Sequence, residues 1–469
     1  SFLDKAKNKS EDTALKLTII KKSTGEDSDV INITLGDHVK GLINSANDEN
    51  GDPSLTNGLI EVNSDKKAQI PESGIVFIAN LNEVDLEELV DLIPDNESET
   101  SDIDSSQSKS MNIEAVLNIK KLNAYGYIFN NFKFKLRPED SGIIVQLNGE
   151  GARGNILWDP EKNLIKARFE ELHLLGSDES IEEWDDAFET EDPIIKNPPK
   201  IDVKIQEFLL KSKYFDNNLN GNLTFQASKA ESKWFIDLFK FLNPDYALKV
   251  TGIWHDESPN PDTEIDFDWK ITDLDKTLEE FNLDNLLTGG TGQLNGKLSW
   301  PQSPWKFDKN KASGSISINI DKGVILEAQP GAMGRLFGLL SLQSLPSRLT
   351  LDFSDIFADG FAFDSIDGLA ELENSNIHSD NFEIKGPAAD IFIKGDVNYK
   401  DETQDLVVTI TPNVTDTMSV AALAGGPIVG AAAFVLQKLL NDPLNEVLTD
   451  QYRLTGSWAD PQETPIDRD

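Results

Sequence analysis

The feature that most constrains this chain is alternation: in run after run, apolar side chains take every second position. Phe132, Phe134 and Leu136 alternate with Lys133, Lys135 and Arg137. Ile201, Val203 and Ile205 alternate with Asp202, Lys204 and Gln206. Ile265, Phe267, Trp269 and Ile271 alternate with Glu264, Asp266, Asp268 and Lys270. The same beat carries Ile316, Ile318 and Ile320, then Leu349, Leu351 and Phe353, then Leu406, Val408 and Ile410. A period of two places one kind of side chain on each face of a strand. The pattern is that of antiparallel sheet wetted on one side, not of parallel sheet buried on both.

Turn chemistry separates the runs. Asn148-Gly149-Glu150-Gly151 and Gly289-Gly290-Thr291-Gly292 read as turns, and Asn220-Gly221 and Asn295-Gly296 read as tight hairpins. Helices are few and short. One is expected at 84–92, from Val84-Asp85-Leu86-Glu87-Glu88-Leu89, and one at 274–282, from Leu274-Asp275-Lys276-Thr277-Leu278-Glu279-Glu280-Phe281. The two passages echo each other, each an acidic helix after a strand. They point either to an internal repeat of about 190 residues or to chance likeness.

Two stretches lack any apolar period. Residues 94–110 are acidic and Ser-rich, and residues 176–199 carry a block of acids and end in Asn197-Pro198-Pro199. Such blocks are solvated connections. They divide the chain into sheet segments at 1–93, 111–175 and 200–330, with a distinct region at 331–469. That last region holds two apolar, Gly-spotted passages expected to be helices, 331–345 and 417–441. Met418 to Leu436 has no charge and is broken by Gly425-Gly426-Pro427. It approaches the length of a membrane span, but its break favours two short helices packed on a sheet.

Composition narrows the function classes. The 43 Lys+Arg against 82 Asp+Glu give a net charge of −39, which repels nucleic-acid phosphates and argues against docking on anionic head groups through basic patches. The absence of Cys removes disulfides, thiolate metal sites and thiol nucleophiles. At 38% hydrophobic residues the chain can still build a core.

No reaction class has a constellation. His38, His173, His255 and His378 lie far apart, with no metal-ligand spacing. His255-Asp256-Glu257 is the one compact His–acid cluster, and it reads as an exposed turn. No Gly-x-Ser-x-Gly elbow is present. The glycines from Gly290 to Gly296 miss the phosphate-loop spacing and lead into a strand rather than a helix. Glu264, Asp266 and Asp268 spread along a strand face and do not converge on one ion. No catalytic residue, metal ligand or cofactor is therefore assigned. What remains is a supply of strands with one apolar face. That face either pairs with a second sheet, as in a sandwich, or lines a long groove, and periodicity alone favours the sandwich.

A longer stretch shifts that balance. Ser347-Arg348-Leu349-Thr350-Leu351-Asp352-Phe353-Ser354-Asp355-Ile356-Phe357-Ala358-Asp359-Gly360-Phe361 closely resembles a signature of the YhdP family of AsmA-like proteins. Gly331-Ala332-Met333-Gly334-Arg335-Leu336-Phe337-Gly338 precedes it, and Gly386-Pro387-Ala388-Ala389-Asp390-Ile391, Ala424-Gly425-Gly426-Pro427 and Tyr452-Arg453-Leu454-Thr455-Gly456-Ser457-Trp458 follow in order.

The resemblance implies an elongated, twisted antiparallel β groove with a few short helices. It also implies a TamB-related, non-enzymatic role: carrying phospholipids between inner and outer membranes and supporting the outer-membrane barrier. The location implied is the periplasm of a diderm envelope, with an inner-membrane anchor in the full-length protein and the outer membrane near the C-terminal end. The alternative is a scaffolding envelope protein with closed sandwich cores and no cargo. On the groove reading, the lipid-contacting face comprises Phe132, Phe134, Leu136, Ile265, Phe267, Trp269, Ile316, Ile318, Ile320, Leu349, Leu351, Phe353, Ile391 and Ile393. Val420, Leu423, Ile428, Val429, Phe434 and Leu436 would cap the groove or touch a membrane.

Overall fold

The computed structural model describes residues 16–466 apart from 26–27, 48–52, 65–68, 87–111, 125–126, 176–197, 212–218, 232, 257, 259, 282, 284–285, 327–360, 388 and 413–449. The chain divides into two compact units. Unit 1 comprises Ser1–Lys213 with Leu219–Gln226, and unit 2 comprises Tyr214–Asn218 with Ala227–Asp469.

Unit 1 carries β1 (Leu17–Ser23), β2 (Ser28–Leu35), β3 (Val39–Asn47), β4 (Pro53–Val62), β5 (Gly74–Asp85), β6 (Ile113–Ala124), β7 (Tyr127–Glu139), β8 (Gly142–Gly149), β9 (Ala152–Asp159), β10 (Leu164–Leu174) and β11 (Lys200–Leu210). Each pairs with the next in chain order. One apolar row crosses six strands through Leu117, Phe134, Leu147, Gly154, Phe169 and Ile205.

The pairing corrects the purely antiparallel expectation. β4 with β5, β5 with β6, and β10 with β11 are parallel. Alternation reports which face a side chain takes and is blind to strand direction. Direction is set by the connection, because a tight turn gives an antiparallel neighbour and a parallel one needs a long return path. The two acidic stretches lie in just such returns, between β5 and β6 and between β10 and β11. Val84 and Asp85, expected to start a helix, finish β5; Leu86 is helical, so the helix begins two residues later than expected, and residues 87–92 lie outside the described residues.

β12 (Leu219–Ala230) runs from one unit into the other. Unit 2 then carries β13 (Lys233–Leu242), β14 (Tyr246–Trp254), β15 (Asp262–Ile271), the helix α1 (Leu274–Glu280), β16 (Leu287–Thr288), β17 (Thr291–Pro301), β18 (Ser313–Ile325), β19 (Phe361–Glu373), β20 (Asn376–Lys385), β21 (Ala389–Asn398), β22 (Thr403–Pro412), β23 (Asp450–Ser457) and β24 (Asp460–Pro465). Among the described residues, every pairing from β13 to β24 is antiparallel. β15 pairs with β17 across the α1–β16 insertion. Tyr246, Ile271, Gly292, Ile320, Ile366, Ile384, Ile391 and Ile410 form one row across eight strands. Among the described residues, no second sheet stacks on this one within unit 2.

Two turn readings hold and two fail. Asn148 to Gly151 joins β8 to β9, and Gly289 and Gly290, with φ of 76° and 91°, join β16 to β17. Asn220-Gly221 and Asn295-Gly296 lie inside β12 and β17. Gly296 is glycine for another reason: a Cβ there would sit 2.1 Å from the Ser315 carbonyl oxygen on β18. Close approach of a neighbouring backbone, not a turn, demands it.

Candidate functional site

The candidate site is the apolar face of unit 2 from β14 to β18. Its rows are set by register. Leu248, Trp269, Leu294, Ile318 and Gly368 stand side by side, and next to them Val250, Phe267, Gly296, Ile316 and Ala370. Ile265, Phe267, Trp269, Ile316 and Ile318 are each half-buried rather than sealed. The glycines at 252, 296 and 368 remove side chains between the large ones, which leaves relief on the wall. Further along the same face Ile384, Ile391, Ile393, Leu406 and Val408 are buried.

Helix α1 closes one end of this wall. Asp273 caps it by accepting from the Lys276 backbone N–H at 3.2 Å, and no Gly or Pro interrupts it. Leu274, Thr277 and Glu280 point inward at helical spacing. Phe281, just beyond, lies 5.2 Å from the Trp269 ring and 6.0 Å from Tyr246, both wall residues. The buried Glu280 carboxylate accepts from Tyr246 Oη at 3.3 Å and from Asn243 Nδ2 at 3.2 Å. Burial, reinforced by the Glu280 charge, holds the Tyr246 phenol well above its ordinary pKa.

The opposite end is closed by charge and tryptophan. Trp254 ends β14 and faces inward, opposite Trp234 and Thr263. Its ring stacks 6.5 Å from Trp234 and meets Trp305 edge-on at 5.0 Å. Lys229 Nζ lies 6.0 Å over the Trp234 ring and 2.5 Å from Asp256 Oδ2. Its neighbour Ser228 donates to Asp237 on the wet side, so Lys229 occupies the inward phase of β12. The two charged side chains are only 8% and 12% exposed.

The reverse face is polar. Asp266 meets Lys297 at 3.0 Å, Asp268 accepts from Gln293 at 2.9 Å, and Arg453 grips Asp405 with two bonds of 2.8 Å. The Arg453 guanidinium holds the Asp405 carboxyl below its usual range, and in unit 1 Arg168 does the same for Asp202. A shallow hollow of about 300 Å³ on this face is lined by Lys249, Thr251, Asp266, Phe267, Asp268, Asn295, Gly296 and Lys297. Four of its eight lining residues are charged, so an acyl chain settling there would displace water from those groups.

Among the described residues, two groups bring three possible metal-ligand atoms within 4.8 Å: Glu171, His173 and Glu207, and His255, Asp262 and Glu264. Glu264 thus approaches His255 rather than its strand neighbours. Each group is already paired, His173 with Glu207 at 3.1 Å and His255 with Asp262 at 3.0 Å. Ordinary hydrogen bonding between partly exposed polar side chains accounts for both.

The expected groove residues fall into three sets. Phe134, Leu136, Ile265, Phe267, Trp269, Ile316 and Ile318 are half-buried. Phe132, Ile320, Ile391 and Ile393 are buried among neighbours. Leu349, Leu351 and Phe353 lie outside the described residues, as do Val420, Leu423, Ile428, Val429, Phe434, Leu436 and the helices expected at 331–345 and 417–441. The exposed-turn reading of Asp256 is corrected: it is held in a buried ion pair. Sequence reasoning also missed Lys229. The signal was available, because Leu223, Phe225, Ala227 and Lys229 share one phase, and a charge in an apolar phase calls for a partner.

Among the described residues no helix is long and apolar enough to cross a membrane. A family model described as YhdP protein matches residues 3–463. The intermembrane phospholipid transporter YhdP of Escherichia coli (strain K12) is 32% identical over 216 residues, which is 46% of this chain and 17% of that protein. The match therefore spans a small part of the relative's length. No solved structure matches the chain.

Proposed function

The chain belongs to the YhdP family, and from that premise we propose that it is a segment of a non-enzymatic conduit that carries phospholipids between the two membranes of a diderm envelope. The observation that supports this reading is the half-buried apolar wall of β14–β18, which has no second sheet stacked on it among the described residues. A sandwich would seal these positions; a carrier leaves them for cargo.

The physics of the wall suits such cargo. Each methylene removed from water contributes about 0.8 kcal/mol whichever apolar side chain it meets. Affinity then comes from area, and a chain can slide without losing a unique partner. The acids of the reverse face stay in water and keep the segment soluble in a periplasm-like medium. The wall from Tyr246 to Trp254 is eight residue steps long, roughly 26 Å at strand rise. One leaflet of hydrocarbon is about 15 Å thick, so an acyl chain fits along it.

The test is lipid loading. Purified protein should carry phospholipid detectable by native mass spectrometry, and Phe267→Asp or Ile318→Asp should lower the loaded fraction at least severalfold while the fold persists. Folded protein that stays lipid-free when offered phospholipid vesicles would refute the reading.

A further inference from the structure

We propose that the Lys229–Asp256 pair, with Trp234, Trp254 and Trp305, is a docking site for a phospholipid headgroup that carries both a phosphate and a primary ammonium. This rests on the transport reading and adds a headgroup class to it.

Three observations converge. First, the pair lies at the end of the apolar wall, on the inward phase, where an acyl chain along β14 would place its polar end. Second, the cluster holds two buried polar atoms with no hydrogen-bond partner, the acceptor Asp256 Oδ1 and the donor Trp254 Nε1. Buried polar atoms are almost always satisfied, and a buried ion pair is worthwhile only when its remaining valences are met. Third, three tryptophan rings line the same place, and Trp faces attract cations.

The open valences select the ligand. A carboxylate oxygen accepts an N–H, which a primary ammonium supplies. An indole N–H donates to an anionic oxygen, which a phosphate supplies, and the Lys229 ammonium adds attraction for the same anion. A headgroup with both charges matches a wall end with both charges and brings no net charge to a chain of −39. A phosphoglycerol headgroup can offer Asp256 Oδ1 only a neutral hydroxyl donor, a weaker partner than an ammonium, and it carries net negative charge toward a carboxylate. Trp305 is 49% exposed and sits edge-on against Trp254, so it is the cover that an entering headgroup displaces.

The experiment offers the full chain vesicles of equimolar phosphatidylethanolamine and phosphatidylglycerol with identical acyl chains, and reads the bound lipids by native mass spectrometry. The wild type should enrich the ethanolamine lipid about tenfold, the scale of one charge-assisted hydrogen bond. Removing one charge alone endangers folding, so the main variant is the double change Lys229→Met with Asp256→Leu, which leaves no orphaned charge. It should lose the enrichment and load the two lipids equally. Trp254→Phe keeps a ring and removes the N–H, and should cut the enrichment about threefold. Equal loading of both lipids by the wild type, or enrichment that survives the double variant, would overturn the site while leaving transport intact. No lipid uptake by the wild type would overturn transport and this site with it.

Discussion

The two units use the same alternation and finish their apolar faces differently. In unit 1, Val84, Ile119, Leu122, Phe129, Phe132 and Ala152 close into a buried cluster, with Phe132 ringed by Phe129 at 5.7 Å and Phe134 at 4.7 Å. Aliphatic and aromatic side chains close that end, with Leu86, Tyr127 and Leu172 packed against the cluster. In unit 2 the wall of β14–β18 stays half-buried, bounded by α1 at one end and by a Lys–Asp pair with tryptophans at the other. Apolar sealing is permanent, since nothing polar is gained by opening it. A wall bounded by polar groups can exchange one set of partners for another. Period two thus specifies a greasy face, and the residues at the ends of the strands decide whether that face becomes core or surface for cargo.

The contrast can be broken by mutation. Phe132→Ala should cost unit 1 about 3–5 kcal/mol, the range for truncating a buried aromatic, while Phe267→Ala in the half-buried wall should cost about 1 kcal/mol. Denaturant midpoints of the two variants compare them, and equal costs would erase the distinction. Leu274→Ala, at a residue 2% exposed on the inward face of α1, should cost about 2–3 kcal/mol. It should also loosen the Phe281 contact, read as increased quencher access to Trp269.

Two pH effects sharpen the comparison further. The Tyr246 pKa is raised in the folded state, so its contribution to stability is complete below the unfolded value near 10 and is lost as pH rises beyond it. The loss should be at most ~1.4 kcal/mol per pH unit and should vanish in Tyr246→Phe. The Asp202 pKa is lowered by Arg168, so that pair contributes above the unfolded value near 3.9 and fades as pH falls through the lower folded value. The Asp202 side chain is in partial contact with water, so screening holds this effect to about 0.5 kcal/mol, checked by comparing acid unfolding with Asp202→Asn. A larger effect at Asp202 than at Tyr246 would contradict the assignment of wet and dry faces.

Much of this was legible in the sequence. The facing of β7, β11, β15, β18 and β22 follows from alternation, because a buried face punishes any slip of register. The family was legible in the stretch from Ser347 to Phe361. What stayed hidden was non-local. Parallel pairing of β5 with β6 depends on where a long connection returns, which no local pattern encodes. Asn295-Gly296 carries turn chemistry, yet its glycine answers to the Ser315 backbone on the next strand. Phe132 and Phe267 sit in identical patterns and differ only in what packs over them. Asp256 finds Lys229 across a long stretch of chain, so neither residue announced the pair alone.

The central claim is that neighbouring residues one position apart divide between cargo and water. The chain has no cysteine, so Phe267→Cys and Asp266→Cys can each carry a single thiol-linked benzophenone. Each labelled protein is irradiated with phospholipid vesicles, and lipid adducts are counted by mass spectrometry. The account predicts abundant adducts from position 267 and few from position 266. Equal yields from the two positions, or none from 267 in folded protein, would contradict it.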